Sequence, residues 1–97
     1  MNGYDRGVAS LEAQTGLKMN IKLLSRLNIG ECGRIIMIRG KAEIHRHLLG
    51  LGLMVGRSVA VEKNSVNQRY SPVVVRIGED THTLHKRIAS HVKVELV

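Results

Sequence analysis

The residues of this chain with the most chemistry in them are five histidines and one cysteine: His45, His47, His82, His85, His91 and Cys32. Imidazole nitrogen and thiolate sulfur are the usual ligands of transition metals, so a metal centre is the first chemistry to test. The spacing argues against a locally built one. His45 and His47, two apart on a helix, stand about 200° around its axis, and one ion does not reach both. His82 and His85, three apart near a strand end, point to opposite faces of a regular strand. No Cys-x-x-Cys or His-Glu-x-x-His spacing occurs. The expectation is no metal and no cofactor. The exception would be Cys32 meeting a histidine across the fold or between two chains.

Catalytic machinery is equally sparse. There is no nucleophile motif, no phosphate-cradling glycine loop followed by Lys and Ser/Thr, and no carboxylate pair set for acid–base work. Glu79-Asp80 reads as turn chemistry. The chain is expected not to be an enzyme. An arginine supplied in trans stabilises phosphoryl-transfer charge on a partner, and Arg46 is the one candidate that helix phase exposes for that role.

These residues are carried by one domain of 97 residues with no Phe and no Trp, so its core must be Ile, Leu, Val and Met. Fifteen Lys/Arg against eight Asp/Glu give +7, scattered without a block of five like charges. That is a solvated basic surface or one that meets a polyanion, either nucleic acid or an anionic membrane face. The single cysteine excludes an internal disulfide and suits a reducing compartment. No apolar run approaches the ~18 residues of a membrane span, and the N-terminus lacks the apolar stretch of a secretory signal. A cytoplasmic protein is expected.

Residues 1–20 are polar and glycine-punctuated, and are expected to form a flexible tail, with the domain over 21–97. "LSRLNIGECG" (24–33) reads as one helical turn followed by a tight turn at Gly30 and Gly33. "GRIIMIRG" (33–40) reads as a strand. Ile44, Leu48 and Leu51 recur at i, i+4, i+7, so a helix is expected over about 41–51. Gly52 follows its last periodic leucine and is read as the stop, with Gly56 turning the chain into the next strand. Alternating valines mark strands over 57–64 and 72–78. The stretches 80–85 and 91–97 complete the set, with one helical turn near 86–90. Five short strands around an aliphatic core predict a mainly β, partly closed small barrel.

The order Leu24-x-x-Leu27-x-x-Gly30-x-x-Gly33-x-Ile35, Leu48-Leu49-x-Leu51-Gly52-Leu53-x-x-Gly56-x-x-Val59-x-Val61, Pro72-Val73-x-Val75, Ala89-x-x-Val92-x-Val94 resembles the FeoA family. These are small accessory proteins of bacterial ferrous-iron uptake, and the likeness runs over about 22–97. It implies an SH3-like β-barrel. It also implies a partner, the FeoB membrane permease, met through its cytoplasmic G-protein region or its membrane region. The chain would then be cytoplasmic and peripheral at the inner membrane. It departs from the family pattern at Val55, where proline is usual, at His47 and His82, and in Tyr70-Ser71-Pro72.

An apolar edge for such a partner is expected at Leu49, Leu53 and Met54, more than so small a core can bury, beside Arg46 and His47. Two rival readings follow from composition. A basic small-barrel nucleic-acid binder fits the charge, but Tyr4 and Tyr70 are the only aromatics, too few for a base-stacking platform. A metal-binding sensor fits the histidines.

Overall fold

In the computed structural model, which describes residues 20–97, three inward valines or isoleucines on one strand set the plan. Val73, Val75 and Ile77 of β4 (Val73–Ile77) all point into the core. Val59 and Val61 of β3 (Ser58–Lys63) meet them from one side, and Val92 and Val94 of β6 (Val92–Leu96) from another. Six strands make one antiparallel sheet in the order β1-β6-β2-β3-β4-β5, with β1 at Ile21–Leu23, β2 at Cys32–Ile38 and β5 at Asp80–Leu84. The sheet curls on register shifts between Ile35 and Met37 and between Val61 and Lys63, where an extra residue bends the strand. The hairpin β4–β5 closes at Gly78-Glu79, with Gly78 at φ +63.

The expected mainly β architecture stands, with one strand more than the five anticipated. β1 is three residues long and pairs with β6, Ile21 opposite Glu95. Three residues are too few to show a period, which is why only an ordered start near Ile21 was visible in sequence. A 3-10 turn at Leu24–Arg26 follows and buries Leu24 and Leu27 completely. The expected flexible tail over 1–20 lies outside the described residues, except for Asn20. Asn20 extends the β1–β6 ladder by accepting from Leu96 N–H at 2.8 Å.

Gly33 needs a correction. It was expected at a turn, but it lies inside the central strand β2, opposite Val59 on one side and Leu96 on the other. Its conformation is ordinary extended backbone; the reason for glycine is crowding. A β-carbon there would fall onto the Glu95 carbonyl oxygen and come within 2.7 Å of Val94 Cγ1. Gly30, by contrast, is a turn glycine at φ +90.

Helix α1 spans Ala42–Gly50, between β2 and β3 in the chain. Lys41 provides no side-chain cap, but Glu43 in the first turn complements the helix dipole. Leu48 is fully buried, and Ile44 and Leu51 pack against the core, as the i, i+4, i+7 spacing requires. A second helix, the four-residue α2 at Lys86–Ala89, buries Ala89.

Candidate functional site

The end of α1 decides which apolar residues are available to a partner. Gly52 takes φ +91, a conformation that costs other residues a Cβ–carbonyl clash. Gly52 N–H then donates to Leu49 O and Leu53 N–H donates to Leu48 O, both at 2.9 Å. This pair of reversed bonds is a Schellman termination, which places the residue after the glycine against the last apolar residue of the helix face. Leu53 therefore drops into the core beside Leu48, and both are fully buried.

Leu53 is accordingly removed from the partner edge predicted for it. Its side chain closes the end of the barrel and meets no solvent. The expectation came from counting apolar residues against core size; the bonding pattern of the helix end, itself written in Leu48…Gly52-Leu53, is the signal that would have placed Leu53 inside.

The other predicted residues are on the surface. Leu49 is 57% exposed and Met54 39%. Arg46 and His47 are exposed on α1. Val55 joins them at 61% exposure and was missed in sequence, although it stands where the family pattern has proline. The chain turns again at once. Arg57 N–H donates to Met54 O at 3.1 Å, Gly56 takes φ +97, and Gly56 N–H donates to Ile35 O at 2.8 Å. Leu49, Met54 and Val55 thus project from a corner whose backbone is bonded on both sides. Arg46, Leu49 and Gly50, at i, i+3 and i+4, share one exposed stripe of the helix. Nothing lies within 4 Å of a β-carbon placed on Gly50, so no contact inside this chain accounts for that glycine.

The histidines lie on several elements. His45 and His47 are exposed on α1, and His82 lies in β5 opposite Val75. β5 ends at Leu84, so His85 leaves the strand and caps α2, its Nδ1 accepting from Arg87 N–H at 3.2 Å. Cys32 is exposed at the start of β2. Among the described residues no three His, Cys, Asp or Glu side chains come together to hold a metal ion. One carboxylate is visibly tuned. Glu31 accepts from Asn28 N–H at 2.8 Å and pairs with Lys22 at 3.4 Å. The backbone bond above all, with Lys22 assisting, holds its pKa below the ordinary carboxylate value against an opposing desolvation. No helix among the described residues is long and apolar enough to cross a membrane.

The comparisons with known proteins agree with this geometry. The FeoA domain model matches residues 22–96. A crystal structure of an iron uptake regulatory protein (FeoA) superposes with a TM-score of 0.74 at 22% identity, covering 80% of this chain and all of that one. Iron(II) transport protein A from Clostridium thermocellum is 31% identical, with a TM-score of 0.68 over 78% of this chain and 46% of that chain. FeoA from Stenotrophomonas maltophilia, solved with zinc and described as a prokaryotic SH3 domain protein, is 25% identical. Its TM-score is 0.63 over 74% of this chain and 87% of that one. No curated protein sequence matches.

Proposed function

The chain belongs to the FeoA family, and from that premise we propose that it is a non-catalytic accessory domain of bacterial ferrous-iron uptake that acts by docking on the FeoB-type permease. The observation that carries the docking surface is the corner of Leu49, Met54 and Val55. Three large apolar side chains stand exposed on a doubly bonded backbone, while their neighbours Leu48 and Leu53 are fully buried. The described residues bury fourteen aliphatic side chains and leave eight large apolar ones exposed, three of them within residues 49–55, a surface suited to a partner's apolar groove or helix. Arg46 and His47 border it, and Arg46 supplies positive charge for orientation. The protein works from the cytoplasmic side, with the G-protein region of the permease as the first candidate for contact.

The test is a titration of the full chain against the cytoplasmic G-protein region of the permease, comparing wild type with Leu49→Asp and Met54→Asp. Saturable binding lost in both variants, with their folding intact, supports the docking corner. Unchanged binding in both removes the corner from the interface.

A further inference from the structure

We propose that the cleft bounded by the 3-10 turn, the 64–72 loop and α2 binds a phosphate-bearing small ligand. This inference stands apart from the docking corner and does not rest on it. The cleft holds about 580 Å³, within the ~300–1,000 Å³ of small-molecule sites. Arg26, Arg69 and Arg87 line it, together with His85 and Lys86, and among the described residues no carboxylate does. Ion pairs among the described residues are Lys22–Glu31 and Arg76–Glu62, both outside the cleft. The three guanidinium groups therefore face the cleft without an anionic partner among those residues.

The walls are tied in place before any ligand arrives. At the start of the loop, Asn64 Nδ2 donates to Ser25 O at 2.9 Å and to Leu27 O at 2.7 Å, fixing the loop to the 3-10 turn. At the far wall, Lys86 Nζ donates to the carbonyls of Ser65 and Gln68, the second at 2.7 Å, fixing the loop to α2. Lys86 is only 8% exposed. Its partners among the described residues are carbonyl dipoles and no carboxylate, so its charge adds to the potential of the cleft. His85 accepts at Nδ1 from Arg87 N–H, which leaves Nε2–H as a further donor. Every titratable side chain that lines the cleft among the described residues, Tyr70 included, is thus a donor.

The chemistry of the lining selects the ligand class. Guanidinium groups offer forked donors that match phosphate oxygens in pairs, and several of them suit a multiply charged group better than one carboxylate. A compact cleft with fixed walls fits a small ligand better than an extended acidic peptide, which would need a long groove or a sheet edge. Tyr70, 73% exposed at the rim, adds a planar face on which a base could stack. A free phosphate, a nucleotide and an anionic lipid headgroup share the recognised group.

Calorimetric titration of the full chain separates these sources. The probes are inorganic pyrophosphate, GDP, phosphatidylglycerol–phosphatidylcholine vesicles and a glutamate-rich peptide, at about 0.15 M salt so that diffuse attraction is screened. Saturable binding of a phosphate probe is expected. The double variant Arg69→Glu/Arg87→Glu should weaken it about tenfold or more, and the charge-matched control Arg39→Glu less than about twofold. Tighter binding of GDP than of pyrophosphate identifies a nucleotide, and tighter binding of vesicles identifies a headgroup. Amide-shift mapping on the wild type supplies a reading independent of the variants' folding, with perturbations expected at 25–26, 66–70 and 85–87. Three results overturn the proposal: no saturable phosphate binding with unmoved amides, equal loss in Arg39→Glu, or a peptide that binds more tightly than every phosphate probe.

Discussion

The corner beyond α1 and the cleft beside α2 are both exposed, but they are built in opposite ways. The corner comes from one continuous stretch, residues 46–57, whose shape is set by backbone bonds and two left-handed glycines. The cleft comes from three segments spread over residues 25–90, and side chains hold it: Asn64 at one wall and Lys86 at the other. Buried and exposed residues therefore alternate tightly along the corner. At the cleft they divide by distance, with anchors behind and arginines in front. Changes to neighbouring residues should have very different effects at the corner, whereas at the cleft only the anchors should matter for folding.

The sharpest break of this comparison is at Leu53. Leu53→Asp places a carboxylate in a fully buried aliphatic site, and is expected to cost about 4 kcal/mol or more, enough to unfold a domain of this size. Urea denaturation followed by circular dichroism reads it. A folded, stable variant would mean that Leu53 lies outside the core.

At the cleft the matching change is Lys86→Met. It keeps the aliphatic stem and leaves the Ser65 and Gln68 carbonyls without their donor. A loss of about 2 kcal/mol is expected, with faster amide exchange confined to the 64–72 loop. Unchanged exchange in that loop would show that the lysine does not hold it.

Gly50→Ala sharpens the other side. With open space around the added carbon and helical backbone, it should stabilise the fold by about 0.5 kcal/mol. Stabilisation accompanied by weaker partner binding would mark Gly50 as a point of close approach by the partner. Stabilisation alone would make it a tolerated helix-end glycine.

Leu49→Asp should leave the midpoint of denaturation within about 0.5 kcal/mol of wild type, because the side chain is already in water. A large loss there would erase the distinction between the exposed and buried halves of the corner.

Acid sensitivity belongs to neither region and is the smallest effect. Glu31 has a folded pKa below its ordinary value, so its contribution is complete at neutral pH and is lost as pH falls through the carboxylate range. The pH dependence of stability below about pH 5 should be slightly flatter in Glu31→Gln than in wild type.

Much of the fold was legible because its signals are local. The alternation of Val59 and Val61, or Val73, Val75 and Ile77, is a two-residue period, and Ile44, Leu48 and Leu51 trace a helix face. Gly33 reads as part of a turn because Gly30 lies only three residues before it; its actual constraint is the Glu95 backbone 62 residues further on, which no local pattern contains. Leu53 was misplaced for the opposite reason. The Schellman signal is local, whereas a count of apolar residues against core size says nothing about which of them is buried. The cleft was invisible because Arg26, Arg69 and Arg87 are unremarkable one at a time, and the turn, loop and helix that carry them meet only through tertiary contacts.

The central claim, that the exposed corner docks on the permease, is tested most directly by titrating the chain against the permease's cytoplasmic G-protein region. The titration should be run with GDP, with a GTP analogue and without nucleotide, in wild type and Leu49→Asp. The account predicts saturable binding in at least one nucleotide state and its loss in Leu49→Asp at unchanged stability. Binding that survives Leu49→Asp, or no binding in any nucleotide state, would contradict it.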